Sequence, residues 1–355
     1  MRIFKPNIKR LQARQDFAAL VECLNDKNES IRQKASMALV EMGKPAIESL
    51  ISTLSKGSEQ TKKYVFEILG EIGDPSAVER IIAGLNDMGA GIPIVAINTL
   101  NKLDPNWRDR ESVQKLVYSI LEMIGDFEDD DELDYRDLIY DDLIRIGKPV
   151  IGPMILHIPS ISLTLMDEYF ETLEAIDPLW TDSQEAREKI PNLIEMLSNQ
   201  SLNRIAIIYL LGMIKDPQAI PPLMDILNTK GGISYPMRVK DGRAPSYTYI
   251  YISYTTMALQ ALENIDSKLL QDPQVLELIP SLIDQLYSEY PLVIRDAIVA
   301  LEKIKDPRSI RPLIGLLDNE SEFVKLNAYS ALKKVTGEDF GINVLKWQKW
   351  LDQTA

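Results

Sequence analysis

The sequence predicts an all-α chain, a right-handed α-α superhelix of about nine helix pairs with a possible β-hairpin insertion, and three observations predict it. One phrase recurs five times, as EILGEIGDP at 67–75, NTLNKLDP at 98–105, ETLEAIDP at 171–178, LLGMIKDP at 210–217 and LEKIKDP at 301–307. Such recurrence marks a repeat array, in which each unit buries its apolar face on its neighbours. Within the phrase the apolar residues follow three-to-four spacing, as Ile68, Leu69 and Ile72 do, so each phrase closes an amphipathic helix. The chain also has just 17 glycines in 355 residues, few for a β-rich fold with many tight turns.

The Asp-Pro pair explains why each helix stops there. Proline disfavours helical geometry in the residue before it, so the helix ends at the aspartate. A second amphipathic run then starts, as AVERIIAGL, AIPPLMDIL and SIRPLIGLL show, because proline is tolerated in a first helical turn. Met42-Gly43-Lys44-Pro45 and Ile146-Gly147-Lys148-Pro149 end two further helices, with glycine at the C-cap and proline beyond it. Helix ends near 43, 74, 104, 147, 177, 216, 266 and 306 lie 30 to 50 residues apart. The short spacings give the period, and the long ones mark insertions, which fall in loops. One continuous domain over 1–355 is expected, since an array grows by adding units rather than by enlarging a single core. Residues 336–355, with Trp347 and Trp350, would form its C-terminal cap.

Two stretches carry the repeat in full, CLNDKNESIRQKASMALVEMG at 23–43 and LLDNESEFVKLNAYSALKKVTG at 316–337. They resemble the HEAT-like repeat family of the phycobilisome-lyase type, and the tail from Thr336 through Trp350 is similar to the closing segment of such arrays. The resemblance implies a solenoid. It leaves activity open, because the family places scaffolds, inhibitors, lyases and repair enzymes on one architecture. It further implies a protein partner held on a concave inner face lined by the second helix of each pair. The alternative it implies is a lyase-like or accessory protein with a bilin or other tetrapyrrole in that face. In similar repeats a cation near the start of the second helix, here Arg32, Arg204, Arg295 or Lys325, pairs with an aspartate such as Asp26 or Asp318 to form a ladder between neighbours.

Charge narrows the partners. The net charge is −14, from 39 basic and 53 acidic residues, and such a field works against binding a phosphate backbone. No apolar run reaches 18 residues, so no membrane span is expected. The segment MRIFKPNIKRLQARQDF lacks the apolar centre of a secretory signal. The single cysteine, Cys23, fits a reducing, cytoplasmic setting and the role of a small core hydrophobe. His157 is the single histidine, so a histidine metal cluster is excluded. Its apolar surroundings in PVIGPMILHIPSISL suit packing or capping. No catalytic residue, metal site or cofactor is expected.

Two segments stand apart from the repeats. Residues 126–142, DFEDDDELDYRDLIYDD, hold ten acidic residues against Arg136. Asp129, Asp130 and Asp131 at its centre are candidates for steering a basic partner. The insertion at 230–252 is locally basic and rich in tyrosine: Tyr235, Arg238, Lys240, Arg243, Tyr247, Tyr249 and Tyr251. Asp241-Gly242 signals a hairpin turn, and alternation of Tyr247, Tyr249 and Tyr251 signals a strand. Tyrosine with arginine is the composition of binding hot spots, so these seven residues are the candidate partner contacts.

Overall fold

Short polar side chains open the long helices. Asn28 accepts from the Ser30 N–H at 3.0 Å, Asn203 from Ala206 at 3.2 Å and Ser253 from Thr256 at 3.1 Å, each satisfying a donor that the first turn leaves orphaned. The computed structural model describes residues 6–86, 91–126, 133–161, 165–198, 203–227, 232–239 and 246–354, with the backbone alone at 125–126, 133–135, 233–239 and 246–252. Within these the chain is an all-α solenoid of helix pairs carrying one hairpin.

Residues 1–154 and 168–178 form one compact unit, and residues 155–167 and 179–355 a second. In chain order the helices are α1 (Ile8–Ala13), α2 (Phe17–Glu22), α3 (Glu29–Met42), α4 (Ile47–Ile51), α5 (Glu59–Ile72), α6 (Val78–Asn86), α7 (Ile94–Leu103), α8 (Glu111–Glu122), α9 (Leu133–Ile146), α10 (Ile151–His157) and α11 (Met166–Ile176). They continue as α12 (Gln184–Arg187), α13 (Ile190–Met196), α14 (Arg204–Ile214), α15 (Ile220–Leu227), α16 (Tyr254–Ile265), α17 (Pro273–Leu276), α18 (Ile279–Gln285), α19 (Pro291–Ile304), α20 (Ile310–Gly315), α21 (Glu322–Thr336) and α22 (Val344–Thr354). Between α15 and α16 stand β1 (Gly232–Val239) and β2 (Ser246–Ser253).

In the first unit the second helices α3, α5, α7 and α9 pack in succession, while α2, α4, α6 and α8 form the layer behind them. In the second unit α14, α16, α19 and α21 pack in the same order. Each core is aliphatic: Leu39, Ile68, Leu100, Leu143, Leu211, Leu262, Leu301 and Leu332 on the second helices are fully buried. Cys23 is buried in the core of the first unit. His157 is the half-buried last residue of α10.

Proline was expected to stop each helix, yet the aspartate does as much. Asp74, Asp216 and Asp306 each accept from the N–H two residues on, at 2.8 to 2.9 Å, capping the 3-10 turn that leads into the next helix. Asp104 and Asp266 do the same at 3.0 and 2.9 Å. The cation ladder takes a different form from the one the resemblance implies. Asp26 turns its carboxylate to the Asn28 N–H at 2.8 Å, so Arg32 donates instead to the Asp26 carbonyl at 2.8 Å and lies 5.9 Å from the Tyr64 ring of the next pair. Arg204 stacks on Tyr254 at 5.1 Å, and Lys325 pairs within its own helix with Glu322 at 3.7 Å. Ion pairs between neighbours come from other positions: Lys44 with Asp74 at 3.2 Å, Lys148 with Asp177 at 3.0 Å, Arg110 with Glu79 at 2.7 Å and Lys334 with Glu302 at 2.7 Å.

Buried carboxylates secure the two long connections. Asp142 on α9, fully buried, accepts from the Gly91 and Ile92 N–H groups at 2.6 and 2.7 Å, just ahead of α7. Burial pushes its carboxyl above the ordinary value, while those N–H groups and Arg145 favour its charged form. Asp296 on α19 receives hydrogen bonds from the Ser253 and Thr256 side chains and the Ser253 N–H, at the foot of the hairpin.

Candidate functional site

Helical spacing builds an open groove on the second-helix layer of the first unit. Asp137, Tyr140, Asp141 and Ile144 occupy one face of α9, and Glu168, Glu171 and Thr172 one face of α11, since residues three and four apart are neighbours on a helix. Together they line an open groove of about 480 Å³. Arg136 pairs with Glu168 at 3.3 Å, and Arg145 divides itself between Asp141 and buried Asp142, each at 3.1 Å. Four carboxylates line the groove, and of these Arg136 and Arg145 pair with Glu168 and Asp141, which leaves it net negative.

Tyr140 lies under this groove, 7% exposed, with its ring edge-on to fully buried Tyr169 at 5.9 Å. Its hydroxyl lies against Glu168 and hydrogen-bonds with that carboxylate. Burial, with the Glu168 charge, pushes the phenol well above its usual value, so it stays protonated. A second groove, of about 280 Å³ between α4 and α6, differs in kind, because its Glu48 and Arg80 pair with each other and cancel.

The second unit presents aromatic groups at the N-terminal ends of its second helices. Tyr287 and Tyr290 precede α19 and are 73% and 69% exposed; Phe323 and Leu326 on the first turns of α21 are 44% and 50% exposed. The hairpin enters the same edge at α16. Its register pairs Tyr235 with Ile250, Arg238 with Tyr247, Pro236 with Tyr249 and Ser234 with Tyr251. Tyr247, Tyr249 and Tyr251 thus stand at alternate positions of β2, where alternation placed them. Asp129, Asp130, Asp131, Lys240 and Arg243, with the Asp241-Gly242 turn, lie outside the described residues, and the side chains of Tyr235, Arg238, Tyr247, Tyr249 and Tyr251 do so too.

Sequence reasoning passed over Glu168, Glu171, Tyr140, Tyr287 and Tyr290. The signal for the groove was present: Asp137, Tyr140, Asp141 and Ile144 have helical spacing, but the acidic run reads as one block of charge. Among the described residues no group of three His, Cys, Asp or Glu side chains could hold a metal ion, and no helix is long and apolar enough to cross a membrane.

The family model for HEAT repeats matches residues 257–346, and that for PBS lyase HEAT-like repeats matches 67–87 and 204–229. Those stretches carry HEAT repeats. Solved structures similar to it include an engineered protein, 14% identical, with 98% of this chain and 83% of that one covered and a TM-score of 0.29. Another is the karyopherin Kap121p bound to the SUMO protease Ulp1p, 16% identical, with 97% and 39% covered and a TM-score of 0.48. Human deoxyhypusine hydroxylase in complex with glycerol is 16% identical, with 93% and 99% covered and a TM-score of 0.28. The chain spans 39% of the karyopherin's length. A comparison with curated proteins gives no match.

Proposed function

We propose that this HEAT-repeat chain is a non-catalytic, cytoplasmic scaffold that holds a protein partner on the face of its second helices, concave as such stacks curve, with the tyrosine-rich hairpin as a clamp at one edge. The observation that supports this reading best is the row of exposed Tyr287, Tyr290, Phe323 and Leu326 along the edge where the hairpin enters. Large aromatic groups left in water cost free energy that a partner would recover, and tyrosine loses little conformational freedom when it is buried.

Replacing Arg238, Arg243, Tyr247 and Tyr249 together by Ala is expected to abolish partner capture from a native lysate while the helical circular dichroism signal stays intact. Hot-spot truncations cost about 2 kcal/mol or more each, roughly thirtyfold in affinity. Full capture by the quadruple variant would remove the clamp from the proposal. Retention of a bilin by the wild-type chain, seen as bound visible absorbance, would instead favour the tetrapyrrole alternative.

A further inference from the structure

Ser253 closes β2 and, with no turn between, opens α16, where its hydroxyl accepts from the Thr256 N–H at 3.1 Å. The direction in which the hairpin leaves the stack is therefore set at this residue. Ser253 is itself buried, and its N–H and hydroxyl, with the Thr256 hydroxyl, all go to the carboxylate of Asp296 on α19, 7% exposed. Near their C-terminal ends the same two helices are tied by Lys303 and Glu263 at 2.9 Å. They thus run side by side in one direction, which puts Ser253 at the same end as Tyr290, the N-cap of α19.

A buried carboxylate is expensive and seldom adds net stability, so its use here lies in specifying geometry. It is also no part of the repeat. Six residues past the N-cap, where α19 has Asp296, the helices α3, α5, α14 and α21 carry Lys34, Tyr64, Tyr209 and Asn327. Like Asp142, Asp296 stands where a long connection enters. The lever it holds is long. From Ser253 to Ser246 the strand spans about 23 Å at about 3.3 Å per residue, so a tilt of about 10° at the foot carries the far end about 4 Å. Binding groups need to be held within about 0.5 Å of their working positions.

We infer that Asp296 is the positioning residue of the clamp: it fixes the angle of the hairpin against the end of α19 that carries Tyr287 and Tyr290, so that a partner meets the two as one pre-organised frame. This rests on the scaffold reading for the existence of a partner and adds the device that readies the chain to hold it. Pre-organisation spares the complex the ordering of a loose element, so loss of the anchor weakens capture although every contacting side chain remains.

The test is the distance distribution between spin labels at Ser246→Cys on β2 and Glu289→Cys before α19, measured by double electron-electron resonance on the full chain with Cys23→Ala as background. With Asp296 in place one narrow distribution is expected. Asp296→Ala is expected to broaden it about twofold or more, and Thr256→Val, which removes one of the three donors and keeps the side-chain shape, to broaden it less. Asp142→Ala is the control. It removes the corresponding carboxylate of the other unit and is expected to lower the melting midpoint while leaving the distribution alone. Unchanged width in Asp296→Ala would overturn the inference, above all with a lowered melting midpoint, the mark of a merely structural residue. Should that variant not fold, unchanged width in Thr256→Val would do the same. A broadened hairpin with undiminished capture from native lysate would overturn it too. Failure of the wild-type chain to capture any protein would sink the scaffold reading alone, and the label distances would still decide whether Asp296 holds the angle.

Discussion

Asp339 shows how much of the chain's end one side chain holds. Its carboxylate pairs with Lys333 at 2.7 Å, accepts from the Tyr329 hydroxyl at 2.7 Å and from the Gly341 N–H at 3.1 Å. Lys333 first, then Tyr329 and Gly341, hold its carboxyl down to about 2, from an ordinary 3.8. A lowered acid contributes stability that is whole above the ordinary value and is lost as pH falls through the lowered one. The segment it pins carries Phe340, edge-on to fully buried Trp347 at 4.9 Å, and the Trp347 indole N–H donates to the Gly341 carbonyl at 2.8 Å. Acid is therefore expected to shift tryptophan emission between about pH 4 and about pH 2, and Asp339→Asn to remove that shift. An unchanged acid profile in the variant would show that the cap is held otherwise. Single residues were unevenly legible in the sequence. Cys23 reads correctly because a lone thiol in an apolar repeat position has one ordinary fate. Arg32 does not, because the choice between the Asp26 carboxylate and its carbonyl depends on a loop hydrogen bond that no spacing reveals.

The helices were legible to within a residue or two at their ends, since Gly43, Asp74, Asp104 and Gly147 are chemical stops and not statistical ones. What the shared phrase concealed is that it folds in two ways. Gly73, Lys215 and Lys305 take left-handed caps at φ 69°, 57° and 55°, whereas α7 runs through Leu103 to an extended Asp104 at φ −154°. A leucine pays too much for left-handed geometry, so the helix must end one residue later in the phrase. Lys305→Gly is accordingly expected to stabilise the fold slightly, by about 0.5 kcal/mol after the glycine's own entropy is counted, and so to raise the melting midpoint. Gly212 makes the opposite point. A Cβ there would lie 2.7 Å from the Ala261 Cα on α16, so α14 and α16 touch backbone to backbone. Gly212→Ala is expected to destabilise by about 1 kcal/mol or more, although helix propensity alone would favour it by about that amount. Gly315→Ala, with nothing within 4 Å, is the control and is expected to be neutral or stabilising in thermal unfolding. The groove was less legible than the helices, because it needs two elements, and α11 lies some thirty residues from the acidic run that supplies α9.

For the chain taken entire, nearest-neighbour packing sets how it responds to loss. Ending the chain at Asp306 would strip α20 to α22 from α19 and uncover fully buried Leu301 and Ile304, because each repeat supplies the cover for the one before it. Aggregation or a lower melting midpoint is expected; a soluble, equally stable truncation seen by light scattering and calorimetry would contradict the capping role. The carboxylates at the long connections add a direction to this dependence. Asp142 and Asp296 each reach back from a later helix to the entrance of an earlier one. Unravelling α9 or α19 releases that entrance at once, whereas unravelling α7 or α16 would strand a carboxylate in a dry interior, which is far more costly. Each long connection therefore behaves as a ratchet that opens from its C-terminal side. In hydrogen exchange the amides of Gly91, Ile92 and Ser253 should keep time with the helix that follows them in the stack and not with the loop they belong to.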